Sequence, residues 1–564
     1  MKFWTENRLV SQRTVPEAFI TGFLYCDFYT IIREKMNNLS NTLEGKSGIK
    51  TLFLRSPRHV WPILNESDNF LLPLAYPTLA AYLREHVPGV DITILDCCVQ
   101  EMGWKSLAKY LRETQPDIVA IGEKTVYCHE GFKAFELVKK EAPKAVTIAG
   151  GVMYTALPDW TLNTCKAIDY VVLFEGEETL RDLVSTLRDG GDPSTVRGIA
   201  YRDEDGVPAL TPARPLIENL DDLPMPAYDL SGLEHYKPFG HLWPRAITVQ
   251  RSRGCIANCN FCSWRVQEGR PQLVDGKYVS HQAYRSKSVQ RMADEIEWLY
   301  KDFGIRYLFW VDGTWNADNE WLAAFSEEIL RRDIKLDGWW AFVRADKLVE
   351  QDAAGILPLM VKAGFRHTLL GAEHDSQESL DYVNKGVKDF NVTKQAFRIL
   401  AEKHPEVFRQ ATYITGLPND TVDSIKGLLK HAHDCNLDFA AFHPIQPFPG
   451  TEFYTWALQE GLVEETNFEK FDMFYPSMRT YHCSRAEVAE ATQWCYKNFV
   501  AKKPFQYLGR MFSPYPIRKD LHRWFAFAIM RVILKDLKNS LTQGTRFKGF
   551  SGIDTLWKPD WYDE

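Results

Sequence analysis

Three cysteines stand at 255, 259 and 262 within Arg251-Ser-Arg-Gly-Cys-Ile-Ala-Asn-Cys-Asn-Phe-Cys-Ser-Trp264, separated by three and then two residues. Thiolates this close on one loop can each hold one iron of a cubane [4Fe-4S] cluster, and the fourth iron is then left without a protein ligand. That open iron is a place for chemistry. Arg253-Gly254 lets the chain turn tightly before Cys255, and Phe261 gives the cluster an apolar wall that would tune its potential. The competing readings are unrelated buried thiols or a zinc site. Zinc needs a fourth ligand, usually from a second Cys or His pair, and no such pair stands nearby.

The Cys255, Cys259, Cys262 spacing resembles the radical S-adenosylmethionine (SAM) superfamily, in which SAM chelates the open iron through its amino and carboxylate groups. An electron from the cluster then cleaves it. The resemblance implies a 5'-deoxyadenosyl radical, which must be made in a site closed to water.

A length of 564 residues corresponds to roughly three to four domains. The balance of 67 basic and 74 acidic residues, net -7, argues for a soluble protein with no nucleic-acid partner. Eleven cysteines without paired spacing predict a reducing, cytoplasmic setting. Met1-Lys-Phe-Trp-Thr-Glu lacks the pattern of a signal peptide. The longest apolar run, Trp524 to Leu534, is broken by Arg531 and is too short to span a bilayer. Seventeen Trp and 33 Phe hint at a flat, apolar ligand, although aromatic cores use such residues more often.

The fold class predicted is α/β. Residues 1–48 read as an N-terminal extension. From 49 to 190, apolar strands beginning at Ile49, Val90, Asp117, Val146 and Tyr170 alternate with amphipathic helices, the rhythm of a doubly wound, Rossmann-like sheet. In such a sheet a ligand lies beyond the carboxyl ends of the strands, where Gly150, Gly151, Glu175 and Gly176 would let backbone approach it. This module ahead of the cysteines, with Gly150-Gly151 after its fourth strand and Phe-Glu-Gly-Glu-Glu-Thr-Leu after its fifth, resembles the cobalamin-binding class of radical SAM enzymes. The resemblance implies cobalamin at those four residues. Other cobalamin proteins supply a cobalt-ligating histidine from Asp-x-His-x-x-Gly. Here the loop reads Ser56-Pro-Arg-His-Val-Trp-Pro62, so His59 reads as a packing residue.

Residues 191–244, rich in Pro, Asp and Gly, read as a linker. Residues 245–465 hold a second alternating series, with strands beginning at Arg245, Tyr307, Gly338, His367, Arg409 and Phe439. Six such strands resemble the partial (β/α)6 radical SAM barrel, whose ligands lie at the strands' carboxyl ends. Residues 265–286 read as a lid or as a solvated loop. For SAM, the resemblance implies that Arg344 grips the carboxylate while Glu373 or Asp312 accepts from the amino group or ribose. Gly371 and Gly416 would admit the adenine, and Gly313 stands beside Asp312. The same residues would equally cap helices and shape turns. His443, Tyr481 and His482 are further polar groups near this end, of a kind that is usually structural.

Residues 466–564 form a helical, aromatic-rich region, with twelve Lys or Arg against six Asp or Glu after Ala501. Its helix from Leu521 reads as closing the barrel's open end, with peripheral membrane contact as the alternative. The arrangement, including Phe-Glu-Lys-Phe-Asp-Met-Phe-Tyr-Pro-Ser-Met, resembles the relatives of the anaerobic magnesium-protoporphyrin monomethyl ester cyclases, among them the bacteriochlorophyllide side-chain methylases. The resemblance implies three cofactors, [4Fe-4S], SAM and cobalamin, and an external electron donor such as flavodoxin or ferredoxin. It implies C-methylation of a chlorophyll-type tetrapyrrole, or another apolar small molecule. The cyclases carry a His/Gly-rich segment after the first strand and Cys-Ser-Gln-Trp after the cluster, where this chain has Arg58-His59-Val60 and Cys262-Ser263-Trp264. Methylation therefore stands ahead of oxidative cyclisation, then a methylase of a lipid or antibiotic, and last a sensor without turnover.

Overall fold

The computed structural model describes residues 43–59, 71–236, 245–274, 276–543 and 558–564, apart from the side chains of eight positions in the last long helix. The stretch read as an N-terminal extension lies outside these residues except for 43–48. So do Val60, Trp61 and Pro62 of the loop after the first strand.

The first sheet contains β1 (Ile49–Arg55), β2 (Val90–Asp96), β3 (Ile118–Gly122), β4 (Val146–Gly150), β5 (Tyr170–Val172), β6 (Ile199–Arg202) and β7 (Pro208–Leu210), in the order β2-β1-β3-β4-β5-β6-β7. The first five are parallel, as their apolar runs predict. Successive residues of β1 enter opposite layers: Leu52 and Leu54 face one core, Phe53 the other. The 191–244 stretch differs from a plain linker. Its β6 and β7 extend the sheet edge as an antiparallel hairpin, because Val196, Ile199 and Ala200 are apolar and find burial there. Beyond it the Tyr236 hydroxyl donates to Asp96 (2.9 Å) and the Tyr228 hydroxyl to Glu295 (2.9 Å), which pins the crossing to both domains.

The second domain opens with β8 (Ala246–Val249). β9 (Ser252–Gly254) leads into the cysteines. Residues 265–286, expected as a lid or a solvated loop, are ordered structure: the helix Trp264–Glu268 from its second residue, the hairpin β10 (Arg270–Val274) and β11 (Lys277–His281), and β12 (Tyr284–Ser286), which pairs with β9. Then come β13 (Tyr307–Trp310), β14 (Gly338–Val343), β15 (Phe365–Glu373), β16 (Phe408–Thr415) and β17 (Phe439–Pro444). With β8 they make a six-stranded parallel sheet in the order β17-β16-β15-β14-β13-β8, an open (β/α)6 barrel. Side chains near the strand ends start the helices: Ser288, Asp318, Thr421 and Thr451 each accept from a backbone N–H three residues on. Trp310, Trp315 and Trp339 are wholly buried in the main core, so packing absorbs part of the aromatic content.

Helix Pro516–Gln543 seals the amino-terminal mouth of the barrel, where Ile517, Leu521, Trp524 and Phe525 meet Tyr307, Phe309 and Phe408. Asp438 anchors it, accepting from Arg518 (2.8 Å) and His522 (3.2 Å). Burial alone would raise this carboxyl, but Arg409 and its cationic neighbours hold it far below the usual carboxylate range. The tail Lys558–Glu564 returns to the first domain: Trp104 N donates to the Tyr562 carbonyl (3.2 Å) and Ser106 N to that of Glu564 (2.8 Å). Tyr562 is buried edge-on against Trp104 and stands 5.0 Å from the His59 ring, whose Nδ1 meets Glu130 at 2.5 Å. Residue 103 must be glycine here, since a Cβ would fall on the Trp561 carbonyl. No helix among the described residues is long and apolar enough to cross a membrane.

Candidate active site

The cysteine loop leaves β8 through Arg251-Ser252, and Asp312, just after β13, holds that exit. Its Oδ1 accepts from Arg251 N (3.2 Å), Ser252 N (2.6 Å) and Ser252 Oγ (2.5 Å). Burial raises its pKa. Asp312, expected to meet SAM, is thus a brace at the root of the loop, with Oδ2 unpartnered. Glu268 accepts from Gly254 N at 2.7 Å and from Gln250 at 2.9 Å, and burial pushes it up to about 7. Farther along, Asn260 N donates to Val383 O (3.2 Å), Asn260 Nδ2 to Tyr382 O (2.9 Å) and Asn384 Nδ2 to Asn258 O (2.8 Å). Phe261 packs against the cluster of Val383, Ile414, Leu417 and Phe453. Gly313 passes so near that a Cβ there would lie 2.9 Å from Gly254 O and 3.4 Å from Cys255 Cβ.

Cys255 Sγ stands 3.2 Å from Thr314 Oγ1 and accepts from Ala257 N at 3.4 Å. Burial raises the Cys259 thiol and pushes Cys262 up to about 12, with the neighbouring cysteines adding to both. Thiols in such a setting ionise when a metal supplies positive charge. No three side chains converge on one ion among the described residues. A cubane does not require that, since each thiolate addresses its own iron. The donor set therefore fits a [4Fe-4S] cluster.

At the neighbouring strand ends, Glu373 closes β15 in a left-handed conformation (φ 60°), where the ladder shifts register after Gly371. Such strain in a non-glycine residue tends to cluster at functional sites. Its carboxylate takes a hydrogen bond from Lys385 Nζ at 2.5 Å, and a Cβ at Gly371 would fall on that pair. Burial opposes charge on Lys385, yet Glu373 and Cys259 keep its pKa raised. Arg344 donates to Asp346 (2.9 and 3.0 Å) and to the carbonyls of Lys385 (3.0 Å) and Gly386 (3.4 Å). It therefore shapes the turn that carries Lys385, while its charge and that of Lys385 both act on Cys259. Gly416 has φ 75° and abuts Val488. Lys385 was not foreseen; its one sequence signal is the turn-forming Asn384-Lys385-Gly386 after the Gly-Ala-Glu strand end.

In the first domain, Gly150 and Gly151 end β4, and Arg58 donates to Glu123 at 2.7 Å at the same end of the sheet. Glu130 keeps one buried oxygen without a partner. Gly151, at φ 87°, lies against Glu123, whose backbone N would be 2.8 Å from a Cβ there. The unpartnered Glu130 oxygen among buried polar groups at this sheet end fits a group bearing amide side chains such as cobalamin. Glu175, expected beside it, is occupied otherwise: Oε1 accepts from Arg253 (3.0 Å) and Arg285 (2.9 Å), and Oε2 from Ile217 N (2.9 Å). Arg253 also pairs with Glu177, and Gly176 packs on Leu79. Phe174 is left-handed (φ 59°), and its carbonyl accepts from Gln267 at 2.5 Å. A Cβ at Gly450, in the loop after β17, would reach Ala156 of the first domain at 3.0 Å. The carboxyl ends of the two parallel sheets thus face each other. Arg253 and Arg285 lay beyond the sequence reading, since nothing local ties them to a carboxylate some eighty or more positions earlier.

The family model described as B12 binding domain matches residues 60–184, and that of the Radical SAM superfamily matches 249–432. This chain is a cobalamin-binding radical SAM enzyme. An uncharacterized methyltransferase of Pyrococcus horikoshii is 27% identical over 469 residues, covering 82% of this chain and 92% of that one. The anaerobic magnesium-protoporphyrin IX monomethyl ester cyclase of Rubrivivax gelatinosus is 27% identical over 454 residues, covering 79% and 76%. Among solved structures, the cobalamin-dependent SAM radical enzyme OxsB superposes with a TM-score of 0.62 at 18% identity over 88% of this chain and 73% of that one. The radical SAM methyltransferase TsrM from Kitasatospora setae gives 0.58 at 19% over 75% and 78%. A cobalamin-binding radical SAM enzyme works with a [4Fe-4S] cluster, SAM and cobalamin. In this one, the Glu175–Arg253 contact joins the cobalamin-binding domain to the cluster loop.

Proposed function

We propose that this enzyme methylates a side-chain carbon of a chlorophyll-type tetrapyrrole. The observation that carries the reading is the segment Phe468–Ser477. Phe468 packs on Trp160 (5.2 Å), and both Phe468 and Phe471 join the core of the first domain. The chain then crosses back to the barrel, where His443 Nδ1 donates to Met473 O (3.1 Å) and Gln446 to Tyr475 O (2.7 Å). Met473, at φ 63°, and Tyr475 remain exposed. An apolar segment laid between the two sets of strand ends suits a flat, largely apolar substrate.

The bound cofactors supply a methyl group and a hydrogen-abstracting radical. The chain's own part is to position and to exclude water. Lys385 and Glu373 present one cation and one carboxylate beside Cys259, a pair suited to the carboxylate and amino group of SAM. Arg253, Glu175 and Arg285 hold the domains together so that transfer takes place between fixed faces. Methyltransferases among the relatives support the methyl-transfer reading. Oxidative ring formation on a magnesium porphyrin is the second reading, favoured by the cyclases at similar identity.

The test is to quantify S-adenosylhomocysteine and 5'-deoxyadenosine from the anaerobically reconstituted enzyme with cobalamin, reductant and a bacteriochlorophyllide. Substrate-dependent formation of both in equal amounts is expected. Deoxyadenosine without S-adenosylhomocysteine would replace methylation by oxidation. A yield of both that ignores the tetrapyrrole would overturn the substrate class.

A further inference from the structure

The helix Pro516–Gln543 carries two apolar stripes. One, Ile517, Leu521, Trp524, Phe525 and Ala528, is buried against the barrel mouth. The other, Phe527, Met530, Leu534, Leu537 and Leu541, recurs at alternating intervals of three and four residues, the spacing of a single line along a helix. At about 100° per residue the two lines lie on nearly opposite sides. The second line is open to solvent, with Phe527 61%, Leu534 57% and Leu541 78% exposed. Helix Pro504–Arg510 and the turn after it repeat the pattern, with Phe505 86%, Leu508 55% and Phe512 72% exposed. Arg523, one turn before Phe527 on the same line, donates to Met511 O at 3.0 Å. That bond sets the turn bearing Phe512 on the side of the exposed stripe. A contiguous apolar face of this kind marks an interaction site.

Charge indicates the partner. The chain as a whole is acidic, at -7, yet helix Pro516–Gln543 holds six Lys or Arg and two Asp. Lys519 and Arg523 precede the stripe on its own line, and Arg531 and Lys538 flank it by their places in the sequence. The alternation of three and four also suits a coiled-coil seam with a second copy. In a parallel seam the flanking positions opposite Arg531 and Lys538 would be Ala526 and Ile533 of the second copy, so neither cation would find an acidic partner. Anionic headgroups would meet the same cations with opposite charge, while the apolar stripe enters the acyl boundary.

We infer that the exposed faces of helices Pro504–Arg510 and Pro516–Gln543 form a docking surface for an anionic lipid bilayer. The long helix lies flat in the interface while its opposite stripe remains in the barrel mouth.

The full chain is tested by flotation with vesicles of phosphatidylcholine alone and of phosphatidylcholine with phosphatidylglycerol, at low and high salt. Partition into the anionic vesicles is expected, falling about tenfold on neutral vesicles or at high salt. Leu534→Asp and Phe512→Asp each lower it about tenfold without changing the thermal midpoint, because both side chains are solvent-facing. Lys519→Glu with Lys538→Glu has the same effect on the anionic vesicles and little on the neutral ones. Failure to float with anionic vesicles at low salt overturns the inference. So does a dimer, seen by sedimentation velocity, that Leu534→Asp dissociates while flotation is unchanged.

Discussion

Arg253 Nη1 lies 3.0 Å from Glu175 Oε1, across the boundary between the two domains and two residues before Cys255. The same guanidinium pairs with Glu177, which is buried; burial would raise that carboxyl, but Arg253 holds it below the usual range. Arg253→Met leaves Glu177 buried without its cation and is expected to destabilise the chain by about 3–5 kcal/mol. Adding Glu177→Gln removes the uncompensated charge, so the double variant should be more stable than the single one. Urea unfolding of the four proteins of the cycle measures this, and purely additive effects would refute the coupling.

Gly313→Ala places a methyl group 2.9 Å from the Gly254 carbonyl and 3.4 Å from Cys255 Cβ. The cysteine loop must then shift, at a cost of about 1–3 kcal/mol. Reconstituted protein should contain less iron and sulfide per chain, with far-ultraviolet circular dichroism unchanged. Full iron content would mean that the loop gives way without disturbing the thiolates.

Lys385→Met removes the cation that pairs with Glu373 at 2.5 Å. With the cluster assembled, SAM retention in equilibrium dialysis is expected to fall at least about tenfold, as for the loss of a charge-assisted hydrogen bond. Iron content should be unaffected, since Lys385 donates no ligand. Retention equal to that of the parent protein would assign Lys385 a role in folding alone.

Glu268 supplies the pH dependence. Its carboxyl is raised from 4.5 to about 7 by burial, so the folded state retains a proton that the unfolded chain has released. Stability from this group therefore falls as pH rises from 4.5 to about 7, and the loss is complete above that. In Glu268→Gln the neutral amide meets no such penalty, and the Gln250 amide can turn to match it. The variant should gain on the order of 2–3 kcal/mol relative to the parent between pH 5 and pH 8. Thermal midpoints across that range test the sign, and a gain that is largest at pH 5 would refute it.

The strands were readable because short apolar runs between turn residues leave few alternatives, and the cysteine loop because its spacing is itself the chemistry. The hairpin Ile199–Leu210 was missed: its strands are brief and set among Asp, Gly and Pro, so their pairing with β5 is decided by tertiary burial. Asp312 and Glu175 expose a different limit. Sequence places a carboxylate at a strand end but does not say which way it faces. Asp312 turned to two backbone amides and a hydroxyl, and Glu175 to two arginines of the other domain. Lys385 was hidden for the converse reason, since a lone lysine in a turn carries no spacing to distinguish it.

The seating of Tyr562 beside Trp104 has a consequence in time. The two residues are separated by roughly 458 positions, so at about 5–20 residues per second a ribosome would take on the order of half a minute or more to supply the second after the first. During that interval the ring of His59 and the flank of Trp104 lie bare on a nascent first domain. That surface is covered only when residues 558–564 reach it.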